Sequence, residues 1–181
     1  MSLHLVVGCM FSGKSSELIR IVRRLETISE KYIVIKPKID TRYSVSNVST
    51  HDKVEHKCII KENLVSLIED HNYMEAKHII IEEAQFFPDL ETFVLKAVEG
   101  DKKQVTVVGL DGDSNRKHFG QLHKLYPLCD SITKLKALCL QCKDGTEAIF
   151  SKRIIEDEQQ TSIGSNEKYI AVCRPCFLNN K

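Results

Sequence analysis

The stretch Gly8-Cys9-Met10-Phe11-Ser12-Gly13-Lys14-Ser15 constrains this chain more than any other. It reads G-x-x-x-x-G-K-S, the phosphate-binding loop pattern. Leu3-His4-Leu5-Val6-Val7 precedes it as a short apolar, β-branched run. After it, Leu18, Ile21, Val22, Leu25 and Ile28 recur at helical spacing. The pattern therefore lies between a predicted strand and a predicted helix, where its chemistry requires it. Successive backbone N–H groups then point inward at phosphate oxygens, and the helix beginning near Lys14 adds its positive end. Lys14 reaches the β- and γ-phosphates of a nucleoside triphosphate, and the Ser15 hydroxyl is placed for Mg²⁺.

A second stretch, Lys77-His78-Ile79-Ile80-Ile81-Glu82-Glu83-Ala84-Gln85-Phe86-Phe87, supplies what such a loop needs. Three isoleucines in a row suit a strand buried on both faces of a parallel sheet. Glu82, at its end, is placed to hold Mg²⁺ or one of its waters. Glu83 is expected on the other side of that strand, free to accept a proton from an attacking hydroxyl.

The rest of the chain reads as alternating strands and helices. Lys31–Pro37 is the second strand, and 38–52 a polar loop holding Asp40-Thr41-Arg42-Tyr43 and Thr50-His51-Asp52. His56–Ile60 is a third strand, and Asn63 is the expected N-cap of a helix carrying Leu64, Leu67 and Ile68. Pro88 suits the first turn of a helix that buries Leu90, Phe93, Val94 and Ala97 and ends at Gly100. Gln104–Leu110 is a strand, 111–120 a turn-rich loop with Arg116 and Lys117, Gln121–Tyr126 a short helix and Ser131–Leu138 the last core strand. This alternation predicts a mainly parallel α/β sheet.

The C-terminal part differs. Cys139-Leu140-Gln141-Cys142 and Cys173-Arg174-Pro175-Cys176 are two C-x-x-C pairs with 30 residues between them. Such knuckles place four thiolates around one tetrahedral ion, and a closed sulfur shell points to structural zinc. The division expected is 1–138 for the nucleotide-binding unit and 139–181 for a small zinc module. Glu147–Ile154 is strand-like, and Gln159–Asn166 a polar loop. The remaining cysteines, Cys9, Cys58 and Cys129, read as packing residues.

Composition narrows the function classes. With 26 basic and 25 acidic residues, the net charge of +1 leaves no global basic footprint for nucleic acid. No apolar run is long enough to span a membrane. The N-terminus lacks the charge and apolar pattern of a secretory signal, and seven cysteines without export point to a reducing compartment. The expectation is a cytoplasmic protein.

Taken together, these residues resemble the type II thymidine kinases. The carriers are G-C-M-F-S-G-K-S-S-E-L, D-T-R-Y with a following T-H-D, E-E-A-Q-F-F-P-D, L-D-G then R-K-x-F-G, the two knuckles, F-S-K-R, and K-Y before the second knuckle. The resemblance runs nearly end to end. It implies ATP-dependent phosphorylation of the thymidine 5′-hydroxyl on a RecA-like core. It further implies a zinc-held, ribbon-like lasso closing over the nucleoside, a homotetramer and feedback inhibition by dTTP.

Carried over, Gly8 to Ser15 hold the triphosphate and Mg²⁺, with Asp40, Arg42 and Gln85 on the nucleotide and metal side. Glu82 matches the metal-side acid, usually Asp in the family, and Glu83 the general base. Met10, Phe86, Leu110 and Phe119 match walls of the thymine pocket, Ser151 its hydroxyl residue and Tyr169 its contact beside the second knuckle. Gln160, Thr161, Ser162, Ile163 and Gly164 match the lasso, whose backbone bonds the thymine edge. The chain departs from the pattern at Ser114, where an aromatic usually covers the nucleoside, and at His118, where proline is common. Two extra residues lie between Cys142 and Ser151. A competing class is a nucleic-acid-dependent ATPase of RecA type with a zinc ribbon. Salt-dependent binding to single strands would mark it, whereas nucleoside-dependent ATP turnover marks the kinase.

Overall fold

The apolar runs that precede the polar loops assemble into one sheet. The computed structural model describes residues 1–39, 47–49, 55–155 and 168–179. Its strands are β1 (Ser2–Gly8), β2 (Tyr32–Pro37), β3 (Asn47–Ser49), β4 (Glu55–Lys57), β5 (Ile59–Lys61), β6 (His78–Ile81), β7 (Gln104–Gly109), β8 (Ser131–Leu135), β9 (Ala137–Leu138), β10 (Glu147–Ala148), β11 (Phe150–Arg153) and β12 (Tyr169–Val172). Its α-helices are α1 (Lys14–Thr27), α2 (His71–Glu75), α3 (Leu90–Leu95) and α4 (Arg174–Leu178). Six strands pair in the order β5-β2-β6-β7-β1-β8, every pair parallel. The expected α/β architecture with a parallel sheet is what the chain adopts.

Side-chain alternation explains the two layers around that sheet. Leu5, Val7, Ile33, Ile35, Ile79, Ile81 and Val107 point to one face, where Tyr73, Phe87, Leu90 and Phe93 cover them. Val6, Val34, Ile80 and Val108 point to the other face and meet Leu18, Ile19 and Val22 of α1. A strand buried on both faces needs apolar residues at consecutive positions, which is why Ile79-Ile80-Ile81 stand together. On α1 the buried face differs by one step from the expected one. Ile19 is buried, while Ile28 caps the helix and is 70% exposed.

Several expected elements are cut or moved. The 56–60 strand breaks at Cys58: β4 pairs with β3 in a separate hairpin, and β5 joins the main sheet beside β2. The 131–138 strand breaks at Lys136: β8 continues the main sheet, and β9 pairs antiparallel with β10. The helix expected after Asn63 is one 3-10 turn, Val65–Leu67. Its exposed N–H groups are met by the Asp89 carboxylate, which accepts from Leu64 at 2.7 Å and Val65 at 2.8 Å. Asp89 is also the residue flanking α3, so the first helical position is Leu90 rather than Pro88. The short helix α2, capped by the Asp70 side chain, has no counterpart in the sequence reading.

The C-terminal segment builds its own small core. Ala137, Cys139, Ala148, Ala171, Val172 and Cys173 cluster there, and the cluster takes in Cys9 and Phe11 from the phosphate loop. No helix among the described residues is long and apolar enough to cross a membrane.

Candidate active site

The phosphate loop leaves β1 between β7 and β8 and turns directly into α1. Gly13 adopts φ 84 and Phe11 φ 64, both left-handed, as a loop curling around an anion requires. Gly8 allows a close approach: a β-carbon there would lie 2.4 Å from the Leu135 carbonyl oxygen. Lys14 Nζ donates to the Cys9 carbonyl at 2.8 Å, within the same loop. The Ser12 hydroxyl is buried and finds no partner among the described residues, a donor that a phosphate oxygen would satisfy.

The residues expected to hold Mg²⁺ lie beside it. Ser15 Oγ donates to Glu82 Oε1 at 2.7 Å, joining the helix start to the end of β6. A hydroxyl and a carboxylate at one point are hard oxygen donors of the kind Mg²⁺ takes. The expectation that Glu83 lies on the other face of that strand is corrected: β6 ends at Ile81, and Glu83 precedes a 3-10 turn. It turns left-handed at φ 49 and ψ 43, a conformation that costs a β-carbon-bearing residue on the order of 1–3 kcal/mol and is concentrated at functional sites. Its carboxylate accepts from Gln85 Nε2 at 2.5 Å.

Four of the residues expected around the pocket meet in two pairs. Ser151 Oγ accepts the Met10 N–H at 2.9 Å, so β11 of the C-terminal segment supports the outer side of the phosphate loop. Phe86 and Phe119 pack edge to face, ring centres 5.3 Å apart. Leu110 donates its N–H to Gln85 Oε1 at 3.1 Å. Ser114 lies in a turn organised by buried Asp113, whose Oδ1 accepts the N–H groups of Asn115 and Lys117, each at 2.8 Å. A cleft of about 130 Å³ between this turn and β11 is lined by Asp111, Asp113, Lys134, Phe150 and Ser151, among others. Tyr169 is buried in β12 and accepts from Arg153 Nη2 at 2.9 Å. Asp40, Arg42 and Gln160 to Gly164 lie outside the described residues.

Arg116 and Arg153 pack on aromatic rings. The Arg116 guanidinium lies over Phe177 at 4.7 Å and Phe150 at 5.7 Å, which ties the 111–120 turn to the C-terminal segment. Arg153 stacks on Tyr169 at 5.3 Å besides bonding it. Neither contact has a signal in local sequence. The Asp113 turn does have one, the D-x-N spacing of an Asx turn.

The four knuckle sulfurs lie within 4.8 Å of one another, and Cys142 Sγ is 3.7 Å from Cys173 and 3.4 Å from Cys176. A tetrahedral thiolate-bound zinc, with metal–sulfur bonds of about 2.3 Å, needs sulfurs about 3.8 Å apart, so the cluster fits a metal ion. Burial raises the Cys139 thiol, but the backbone N–H groups of Cys142, Cys173 and Gln141 outweigh it and bring the thiol down to about 6. Cys9 is the opposite case. Burial pushes its thiol up, and Sγ lies 3.5 Å from the Ala148 carbonyl, so it is a packing thiol at neutral pH.

The comparison with known proteins agrees with this arrangement. A family model described as "Thymidine kinase" matches residues 1–177. The chain belongs to the thymidine kinase family. It is similar to the thymidine kinase of fowlpox virus, strain NVSL, at 38% identity over 182 residues, 99% of this chain and 98% of the relative. It is 40% identical to that of sheeppox virus, strain KS-1, over 176 residues, 97% of this chain and 96% of the relative. Identity to that of vaccinia virus, strain Western Reserve, is 38% over 178 residues, 98% and 97% of the two chains. Within this thymidine kinase family member, the loop at Gly8–Ser15, the acids at Glu82 and Glu83 and the cysteine cluster occupy one continuous region around the end of β1.

Proposed function

We propose that the chain transfers the γ-phosphate of ATP to the 5′-hydroxyl of thymidine, giving dTMP and ADP. The observation that carries this reading is the join of Ser15 to Glu82 with Glu83 beside it. In that arrangement a phosphate-loop helix, a metal-side acid and a neighbouring carboxylate suited to act as base share one site.

Phosphoryl transfer needs position and charge neutralisation more than covalent chemistry. The backbone from Gly8 to Ser15 cradles the triphosphate, and Lys14 exchanges its bond to the Cys9 carbonyl for phosphate oxygens. Ser15 and Glu82 would hold Mg²⁺, which supplies positive charge toward the β- and γ-oxygens. Glu83 accepts the 5′-hydroxyl proton. Met10, Phe86, Phe119, Ser151 and Tyr169 would wall the base and keep water from taking the phosphate; that residues 160–164 contact the thymine edge rests on the family resemblance. Zinc at Cys139, Cys142, Cys173 and Cys176 would be structural, holding the C-terminal module, 139–181, against the nucleotide-binding unit, 1–138. The homotetramer, dTTP feedback and cytoplasmic location belong to the same reading and rest on the family.

The test is ADP release with each deoxynucleoside in turn. Turnover that requires thymidine, is lost in Glu83→Gln and is indifferent to single-stranded DNA is the expected result. Loss of the base typically costs about 10²–10⁴-fold. ATP turnover that responds to DNA and not to nucleosides refutes the reading.

A further inference from the structure

Gln85 is 3% exposed, so each polar atom of its side chain needs a partner. The amide has two. Nε2 donates to Glu83 Oε2 at 2.5 Å, and Oε1 accepts the Leu110 N–H at 3.1 Å. Only a carboxamide of this length offers a donor to one and an acceptor to the other. A carboxylate at this position would face Glu83 with no proton to give, and an apolar side chain would leave the Leu110 N–H without its acceptor.

The far end of the same segment also rests on Gln85. Gly120 has φ 58, and a β-carbon there would lie 2.0 Å from the Gln85 carbonyl oxygen. The segment from Leu110 to Gly120 is therefore seated at its start on the Gln85 side chain and at its end on the Gln85 backbone. It carries Ser114 and Phe119, and Phe119 packs on Phe86, the neighbour of Gln85. The residue that steers the Glu83 carboxylate is also the footing of one wall of the nucleoside pocket.

We propose that Gln85 is a positioning residue: its amide fixes the Glu83 carboxylate and makes that orientation depend on the seating of the 110–120 segment. The inference rests on Glu83 being the general base of the reading above. Glu83 stands on a left-handed turn, and there the Gln85 amide donates to its carboxylate. A carboxylate oriented by a donor presents its other oxygen to the attacking hydroxyl without first losing rotamer freedom. When the segment is displaced, the Leu110 N–H leaves Oε1, the amide can rotate, and Glu83 loses its orientation. Seating of the wall and orientation of the base are thereby linked through one side chain, which holds both in place together.

The experiment compares Gln85→Glu, Gln85→Met and Glu83→Gln with the parent chain. It measures kcat, KM for thymidine, Mg·ATP affinity by calorimetry and the melting midpoint. Gln85→Glu keeps an acceptor for Leu110 and loses the donor to Glu83. Its kcat falls on the order of 10²-fold, the effect of a displacement near 1 Å, while KM stays within about threefold. Gln85→Met loses both bonds: kcat falls comparably, and KM rises by about tenfold, one net hydrogen bond. Mg·ATP affinity is unchanged in both, because the two ends of the Gln85 amide are bonded within the protein, to Glu83 and to Leu110, rather than turned to the nucleotide side that the family resemblance implied. A role in packing alone would move kcat and KM equally in the two variants, and that result overturns the proposal. So does kcat within about threefold of the parent in both variants while Glu83→Gln is dead. If Gln85→Glu does not fold, the uncharged Gln85→Met decides by its kcat: a fall supports the proposal, and a retained kcat overturns it. Turnover retained in Glu83→Gln refutes the base assignment itself, and the positioning role with it.

Discussion

Gly8→Ala tests how tightly the phosphate loop is held against the sheet. The new β-carbon would lie 2.4 Å from the Leu135 carbonyl oxygen and 2.7 Å from Ser12 Oγ. An ordinary carbon–oxygen contact is about 3.3 Å, so the groups must separate by about 0.9 Å. Leu135 cannot yield freely, because β8 is paired with β1 in register, Gly8 opposite Leu135. The loop moves instead, and with it the N–H groups that face the phosphates. A displacement near 1 Å costs on the order of 10²-fold, or about 2.7 kcal/mol of ATP binding. The assay is the ATP-dependent rise in melting temperature with Mg²⁺ present. At ATP 100 times the parent dissociation constant, ligand stabilisation of about 2.7 kcal/mol falls to about 0.4 kcal/mol in the variant. Gly100→Ala is the control, since the three atoms nearest its β-carbon would belong to the flexible Lys96 side chain, the closest at 3.1 Å. A Gly8→Ala protein that keeps the parent's ATP-dependent shift refutes the reasoning.

Elemental analysis of protein purified without chelator is expected to give one zinc per chain, and absence of zinc refutes the assignment of the cysteine cluster. Cys173→Ser should weaken Mg·ATP binding as well as metal retention, because Cys9 and Phe11 pack in the same cluster as Cys173; unchanged calorimetric affinity would separate the two sites. Asp89→Ala removes the acceptor of the Leu64 and Val65 N–H groups and is expected to cost about 1.5–3 kcal/mol, read as a melting point lowered by several degrees with ATP affinity intact. Ser114→Phe restores a ring over the nucleoside and should lower KM for thymidine by at most about tenfold without reordering thymidine over deoxycytidine. A switch in base order would move selectivity from the C-terminal module to the 111–120 turn.

The parts of the site that neighbours in the chain determine are legible in the sequence. The phosphate loop is one unbroken motif, the isoleucines before Glu82 report a strand buried on both faces, and each C-x-x-C pair is set by local spacing, the second at the start of α4. Their chemistry depends on spacing, and spacing is what a sequence displays. Tertiary structure decides where a polar group finds its partner across the fold. Asp89 caps residues 24 and 25 positions earlier in the chain, Gln85 receives the Leu110 N–H 25 positions later, and Ser151 receives the Met10 N–H across 141 positions. Strand breaks at Cys58 and Lys136 are of the same kind, because the residues on either side have strand character and differ only in which sheet offers a partner. Backbone and side-chain polar groups withdrawn from water must be paired, and the sheet order, not the local pattern, brings the available partners within reach.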